Sequence, residues 1–506
     1  MEDAERQHLL EEIAKRDARI ALLEQKVDML VRRIFGTKSE SLDPAQLELL
    51  LDPDAAKKPV AAGGQNDAPA VEPAHEARRK ERAERKPRTP DDLPVEEEII
   101  DPLVVRANPD AWRTIGEERR EQLDYRPGRF VRKILVRRKY VRKDDPAAKP
   151  VIAPLPPCLQ ERCLATPGLI AEVVVNKYAH HLPLDRQEKI FAQRHRVHLP
   201  RKTLCGWTLL ASDWLSILYR EIEREHRESL YQQVDETPIR YLDPGSGKAQ
   251  QGYFWTSRIP GGSVLYQWHA GRGHECLDDL LGAQDRPRVI QSDGYAAYKT
   301  WVGKRKRITL AGCHAHMRRK FFEAKDQAPQ IVGWILGQIG HLYRIERELR
   351  QRRAGPRLRE AVRTSASLMI HRRLKCCFEM LAKRRSILPK SLLGLAVSYA
   401  LKQWSALEVC MADGRVELDT NLVENAIRPT KLGAKNWLFI GREESGEKSA
   451  ILYTMIENCR RAGIDPRAYL EDLLTRLPGM TNHDAVKLTP ANWARARQGK
   501  SRQQAA

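Results

Sequence analysis

The chain has no run of eighteen or more apolar residues in its 506 positions, so nothing in it is expected to span a membrane. Its opening, MEDAERQHLL, is charged from the start and lacks the apolar segment of a secretory signal. These two absences point to a cytoplasmic protein with no membrane partner. Cysteine is sparse. The nine positions, Cys158, Cys163, Cys205, Cys276, Cys313, Cys376, Cys377, Cys410 and Cys459, form no dense framework, so reduced thiols are expected rather than disulfides. Acidic charge is in deficit: 67 Asp and Glu stand against 88 Lys and Arg, a formal net charge of +21. A protein this basic usually meets a polyanion, with nucleic acid the first candidate and an anionic membrane surface the second. Apolar residues still make up 42% of the chain, enough for real cores, and the length calls for two to four domains.

Large apolar residues are nearly missing from residues 52–94, which are rich in Ala, Pro, Gly and charge and include the basic run AHEARRKERAERKPRTP. That composition reads as a flexible basic linker. Before it, residues 1–51 carry a heptad. Ile13, Ile20, Val27 and Ile34 form one seam, and Leu9, Leu23 and Leu30 the other, with Arg16 as its polar member. β-branched residues on one seam and Leu on the other suit a parallel two-stranded coil, so self-association through residues 9–34 is expected. Residues 95–157 read as a small strand-rich module. In RPGRFVRKILVRRKYVRK, apolar and basic residues alternate from Phe130 and Val131 through Ile134, Val136 and Tyr140. VIAPLPPC follows as a proline-rich spacer.

Residues 158–228 read as helical. Thr166-Pro167-Gly168 opens a helix; LDRQEKIFAQR is a second, VHLP a turn and RKTLCGWTLLASDWL a third. Helix, short turn, helix is the helix-turn-helix outline, which puts Arg201, Lys202 and Thr203 where base-edge contacts are usually made. Residues 229–323 change character. LYQQVDETPIRYL, GYFWTSRI and SVLYQWHA read as strands, HECLDDLLGAQ as a helix, RVIQSDG as a strand, YAAYKTW as a helix and ITLAGCHAH as a further strand. That order matches an RNase H-like α/β core. Residues 324–415 form a basic, almost wholly helical insertion, residues 416–460 return to the core with a helix around Glu424, and residues 461–506 form a helical tail.

Cutting a DNA strand with water or a 3′-hydroxyl is an in-line phosphoryl displacement, which two Mg²⁺ ions about 4 Å apart can support. Mg²⁺ takes carboxylate oxygens, so the site needs a few acids on rigid elements. Asp235, in VDETP, sits mid-strand, where Asp is disfavoured. Asp293, in IQSDGYAAY, ends a strand before a turn glycine, and Glu424, in LDTNLVENAIRP, lies on a helix that Asp419 or Asn421 can cap. Singly, each has a plainer role: an accepted hydrogen bond, a turn cap, a solvated helix residue. The strand order brings the three into one reading.

These segments resemble the insertion sequence 66 family of bacterial DDE transposases over nearly the whole chain. IFGTKSESLDPAQLELL is similar to the family's segment after the N-terminal coil, and LATPGLIAEVVVNKYAHHLPLDRQEKIF to its helical module before the catalytic core. VDETPIRYLDPGSGKAQQGYFW, IQSDGYAAY and LDTNLVENAIRPTKLGAKNWLFIGREESGEKSA resemble the segments with the three catalytic acids, which fall on Asp235, Asp293 and Glu424. The resemblance implies an RNase H-like fold, two divalent ions (Mg²⁺, with Mn²⁺ as substitute) held by these acids, and transposition through free 3′-hydroxyl ends. It implies element ends and target DNA as partners, accessory proteins encoded by the same element, and a nucleoid-associated location. The open alternatives are an inactive DNA-binding relic acting as a repressor and another RNase H-like nuclease.

CHAHMRRKFFEA is similar to a family segment in which tryptophan follows the cysteine. Cys313, His314 and His316 invite a zinc reading, but C-x-H supplies too few ligands. They are expected at a strand end beside the active site, with Arg318, Arg319 and Lys320 meeting DNA phosphates. Arg428 and Lys431, close to Glu424, are further candidates for DNA contact. DYRPGRFVRKILVRRKYV is similar to part of the family's small cysteine-based zinc module, but the cysteine pairs are missing around Tyr140, and Cys158 with Cys163 cannot close a tetrahedral site. No structural zinc is expected.

Overall fold

The computed structural model describes residues 128–133, 139–140, 151–152, 156–243 and 248–504, within a compact unit spanning residues 125–506. The heptad at residues 9–34, the linker at 52–94 and most of 95–157 lie outside the described residues. Of the strand-rich module, β1 (Lys139–Tyr140) and β2 (Val151–Ile152) pair antiparallel, with Lys139 opposite Ile152. Phe130 and Val131 do not form a strand. Phe130 packs edge-on against Phe191, with ring centroids 5.2 Å apart, and Val131 faces solvent. A helix therefore supplies the apolar partner that the alternating pattern assigned to a sheet.

Helix α1 (Pro167–Tyr178) begins as its sequence dictates, with proline in its first turn and the Thr166 hydroxyl accepting from the Leu169 amide. Helix α2 (Leu184–His195) stops at Arg196, which adopts a left-handed conformation with φ 56°. After the turn, α3 runs from Arg201 to Glu228, well beyond the expected end near Leu215. It continues because Leu204, Trp207, Ala211, Leu215, Leu218 and Ile222 keep one face apolar over its whole length.

A mixed five-stranded sheet follows: β3 (Tyr231–Leu242), β4 (Ala249–Arg258), β5 (Val264–His269), β6 (Arg288–Gln291) and β7 (Ile308–Ala311), in the order β5-β4-β3-β6-β7. The first three strands are antiparallel neighbours, while β6 runs parallel to β3 and β7 parallel to β6. Helices α4 (Cys276–Leu281) and α5 (Ala296–Gly303) make the crossovers to β6 and β7. The expected sequence of three strands, helix, strand, helix, strand is thus present. The last expected strand is shorter than predicted. Gly312 donates to the Ala406 carbonyl instead of extending the ladder, and α6 (His314–Glu323) starts there, burying His314, Met317 and Phe321 on one face. His314 and His316 are therefore helical, not strand-end, residues.

The insertion consists of α7 (Pro329–Gln351), α8 (Pro356–Val362), a π-helical turn (Arg363–Ser367), α9 (Leu368–Lys383), α10 (Leu392–Lys402) and α11 (Trp404–Ala412). The chain returns with α12 (Asn421–Trp437), α13 (Glu444–Ala462), α14 (Pro466–Arg476), α15 (Asn482–Ala485) and α16 (Pro490–Gln504). The protein is thus mixed α/β, mostly helical around a small sheet. Among the described residues no helix is long and apolar enough to cross a membrane.

The sheet divides two cores. Ile290 and Val234 pack with α1, α3 and α13, while their neighbours Val289 and Tyr231 pack with α6 and the insertion. Successive side chains of a strand point to opposite faces, so every second residue from Tyr231 and Val289 faces the insertion. The open edge of β5 is closed by α13: Asn458 accepts from the Val264 amide at 2.9 Å and donates to its carbonyl at 2.7 Å. The Thr454 hydroxyl accepts from the Tyr266 amide at 3.1 Å. Covering an edge in this way prevents another chain from pairing there.

Candidate active site

The parallel register pairs Gln233 of β3 with Gln291 of β6. Asp235 stands two residues beyond Gln233 in β3, and Asp293 two residues beyond Gln291, past the last paired residue of β6; the two are close enough for the Asp293 charge to act on Asp235. By the alternation of β3, Asp235 shares the face of Tyr231 and Gln233, which is the face of the insertion. Asp235 remains mid-strand, opposite Thr256 of β4, with one carboxylate oxygen accepting from the Glu236 amide at 2.9 Å. Asp293 lies just past the end of β6. Its Oδ1 accepts from the Tyr295 amide at 2.9 Å, and Gly294 between them takes φ 92°, a conformation that favours glycine. The insertion holds this turn, because the Tyr399 hydroxyl donates to the Asp293 carbonyl at 2.7 Å.

Glu424 comes from the first turn of α12. The hydroxyl of Thr420 approaches its Oε1 at 3.3 Å, and His316 Nδ1 lies 3.7 Å from the same oxygen. The cap position falls on Thr420, not on Asp419 or Asn421 as expected; Asp419, one residue before it, accepts from the Asn421 amide at 3.1 Å. Burial, followed by the charges of Glu236, Asp293 and Glu424, pushes the Asp235 carboxyl up to about 8. Asp235 thus feels both other acids.

The adjacent Glu236 points the other way and is fully engaged, with Arg272 Nε donating at 2.9 Å and the Tyr298 hydroxyl at 2.6 Å. Among the described residues neither Asp235 nor Asp293 has a cationic partner of this kind. Half-buried carboxylates that repel one another and lack a protein cation suit a divalent cation, and hard oxygen donors suit Mg²⁺. Asp235, Asp293 and Glu424 are the residues that would hold such ions.

A second group shares Glu424. Ligand atoms of Cys313, His316 and Glu424 all lie within 4.8 Å of one another. Burial pushes the Cys313 thiol up to about 11; the Thr420 amide donates to its sulfur at 3.3 Å, and the Thr420 hydroxyl lies 3.2 Å from it. Without a metal ion that thiol stays protonated near neutral pH. His314 turns away: burial lowers it to about 4, and its Nδ1 donates to the Leu418 carbonyl at 3.0 Å.

Sequence reasoning missed Gln233 and Gln291, which are fully buried beneath the two aspartates. The signal was present as a repeated Q-x-D, in Gln233-Val234-Asp235 and Gln291-Ser292-Asp293. It also missed the approach of His316 to Glu424, which the fold makes across the whole insertion.

The candidate DNA contacts are spread over several elements. Arg201 and Lys202 are exposed in the first turn of α3, with Thr203 half-buried behind them. Arg318, Arg319 and Lys320 are exposed on α6, where Arg319 pairs with Glu323 at 3.2 Å. Arg428 and Lys431 follow Glu424 by four and seven positions, hence on one stripe of α12. Arg428 is exposed, while Lys431 donates to the Pro238 carbonyl at 2.8 Å.

A family model described as "Transposase IS66 family" matches residues 162–448, more than half of the chain. The chain belongs to the IS66 transposase family. Residues 22–97 match a model described as "Transposase C of IS166 homeodomain", and residues 454–491 one described as "IS66 C-terminal element". Curated relatives come from Sinorhizobium fredii. The uncharacterized protein y4jD is 32% identical over 93% of this chain and 94% of its own length. The uncharacterized protein y4qI is 33% identical over 78% of this chain and 75% of its own. The main IS66 match spans Asp235, Asp293 and Glu424, along with α2, α3 and the helical insertion.

Proposed function

We propose that this IS66 family member is an active DNA transposase whose RNase H-like core cuts and joins DNA through Asp235, Asp293 and Glu424. The observation that supports this reading is that the charges of Asp293 and Glu424 both act on Asp235, two residues beyond the paired Gln233 and Gln291 of β3 and β6. Two divalent ions bound by these acids would activate the attacking oxygen and stabilise the leaving oxygen of an in-line displacement. The protein's own work is positioning. The ladder fixes Asp235, the Tyr399 contact fixes the Asp293 turn, and Thr420 orients Glu424. Arg428, with Arg318, Arg319 and Lys320, supplies positive charge for the backbone of the strand being cut. Arg201, Lys202 and Thr203, at the start of α3, recognise the element ends. The heptad at residues 9–34 pairs subunits so that two ends are held together.

The test is a supercoiled plasmid carrying the element's own ends. Nicking at those ends that requires Mg²⁺ or Mn²⁺ and exposes 3′-hydroxyls supports the reading. Binding without cleavage would instead indicate a repressor, and cutting unrelated to the ends another nuclease. In the same system, end binding should weaken steeply with salt, by about −0.9 in log K against log salt for each phosphate neutralised. Arg201→Ala should reduce the preference for end DNA over random DNA. An unchanged preference removes α3 from end recognition.

A further inference from the structure

We propose that Gln233 and Gln291 are positioning residues of the catalytic group, locking the segment that delivers Glu424 onto the strands that carry Asp235 and Asp293. This rests on the three-acid reading above and adds to it the device that sets the geometry.

The two glutamines are paired across β3 and β6, and Gln233 Nε2 donates to Gln291 Oε1 at 3.0 Å. Each then reaches the chain returning from the insertion. Gln233 Nε2 donates to the Asp419 carbonyl at 2.7 Å, and its Oε1 accepts from the Val423 amide at 3.3 Å. Gln291 Nε2 donates to the Glu417 carbonyl at 2.8 Å and the Gly312 carbonyl at 2.9 Å. Tyr231 completes the lattice: its hydroxyl donates to Gln291 Oε1 at 2.6 Å and accepts from the Glu417 amide at 2.9 Å. Both amide groups are buried and both satisfied, as a buried polar network must be if it is to fix one arrangement.

Two features show that this lattice serves Glu424 and not only packing. The Val423 amide belongs to the first turn of α12, one residue before Glu424, and a helix start normally takes its acceptor from its own cap side chain. Here the cap residue Thr420 turns its hydroxyl to Cys313 and Glu424, and the Val423 amide is shared between the Thr420 carbonyl at 3.1 Å and the side chain of Gln233, nearly two hundred residues earlier. The anchored points, Glu417, Asp419 and Val423, also lie within a few residues of Glu424, while the anchors lie two residues from Asp235 and Asp293. The links to Glu417, Asp419 and Val423 therefore measure the offset between the third acid and the first two, while the bonds between the glutamines and to Gly312 brace the side chains that make them. Leucines would fill the same space without setting that offset.

The test is Mn²⁺ binding to the full chain without DNA, followed by electron paramagnetic resonance, in single and double variants. Gln233→Ala is expected to weaken Mn²⁺ binding by roughly 10–100-fold, the usual effect of removing a partner that orients a metal ligand. It should have no further effect in a Glu424→Gln background, because its action runs through Glu424. Tyr231→Phe, a smaller change, should weaken binding in the same direction and remains informative if Gln233→Ala fails to fold. If Glu424→Gln weakens Mn²⁺ binding but Gln233→Ala and Tyr231→Phe do not, or if their effects add fully to that of Glu424→Gln, the positioning role is overturned while the three-acid site stands. If Glu424→Gln itself leaves Mn²⁺ binding unchanged, the three-acid reading fails first.

Discussion

Replacing Asp235 with Asn is expected to stop strand cleavage and, in the same protein without divalent ions, to raise the melting temperature at pH 8. The two effects share a cause. Burial and the neighbouring acids Glu236, Asp293 and Glu424 push the Asp235 carboxyl up to about 8. A carboxyl whose folded value is raised favours the fold while it is protonated, and that contribution is lost as pH rises from the ordinary value near 3.8 through about 8. Asn carries no charge, so the variant escapes the penalty, and its advantage should be larger at pH 8 than at pH 5. The gain should be a few degrees at most, because the roughly 2–4 °C for each kcal/mol seen in domains of about 150–250 residues shrinks in a larger protein. Added Mg²⁺ should reverse the ranking by stabilising only the parent. Thermal unfolding in EDTA and in Mg²⁺ at the two pH values reads all of this. A variant less stable than the parent in EDTA at pH 8 would show that Asp235 is structural.

The second large effect is expected at Glu346. Arg363, on the π-helical turn, is fully buried, with Nε donating to Glu346 at 2.6 Å and Nη1 donating to the carbonyls of Cys410 and Val416 at 2.8 and 2.7 Å. Arg359 bridges Glu346 and Glu417, each at 2.9 Å. The insertion thus also holds the segment that leads into α12, through Val416 and Glu417. Glu346→Ala strands a buried guanidinium, and breaking such a pair costs roughly 3–5 kcal/mol. Burial alone would raise the Glu346 carboxyl, but the guanidiniums of Arg363 and Arg359 hold it below its ordinary value. Its contribution is therefore present above about pH 4.5, its ordinary value, and lost as pH falls below that. Denaturant unfolding at pH 7 and pH 4 should show the loss at pH 7 and a smaller difference at pH 4. The exposed pair Arg224–Glu221 is the control, and Glu221→Ala should change nothing measurable.

The sheet was legible because its strands alternate and its turns carry Gly and Pro, and Asp235 stood out as an acid inside such a strand. Thr166-Pro167 marked the start of α1 for the same reason: local chemistry decides it. The end of α3 was not legible, because its apolar stripe continues past Leu215 without a stop signal. The strand expected at Cys313 and His314 failed because a tertiary bond from Gly312 to Ala406 ends the ladder there. Glu346, Arg359 and Arg363 look in sequence like any charged residues of a basic helical run, and only the packing of distant helices buries them. Gln233 and Gln291 repeated the spacing of the aspartates, but glutamine carries no chemistry that draws attention until its partners are seen.

The most direct measurement is Mg²⁺-dependent release of 3′-hydroxyl ends from supercoiled DNA bearing the element's termini, with the parent beside Asp235→Ala, Asp293→Ala and Glu424→Ala. End-DNA affinity is measured in parallel. Each variant should bind ends as the parent does and cut at no detectable rate, since each lacks one carboxylate of the proposed metal-holding group. Full cleavage by any one of the three, with binding intact, would remove that residue from the site and contradict the assignment of cleavage to Asp235, Asp293 and Glu424 acting together.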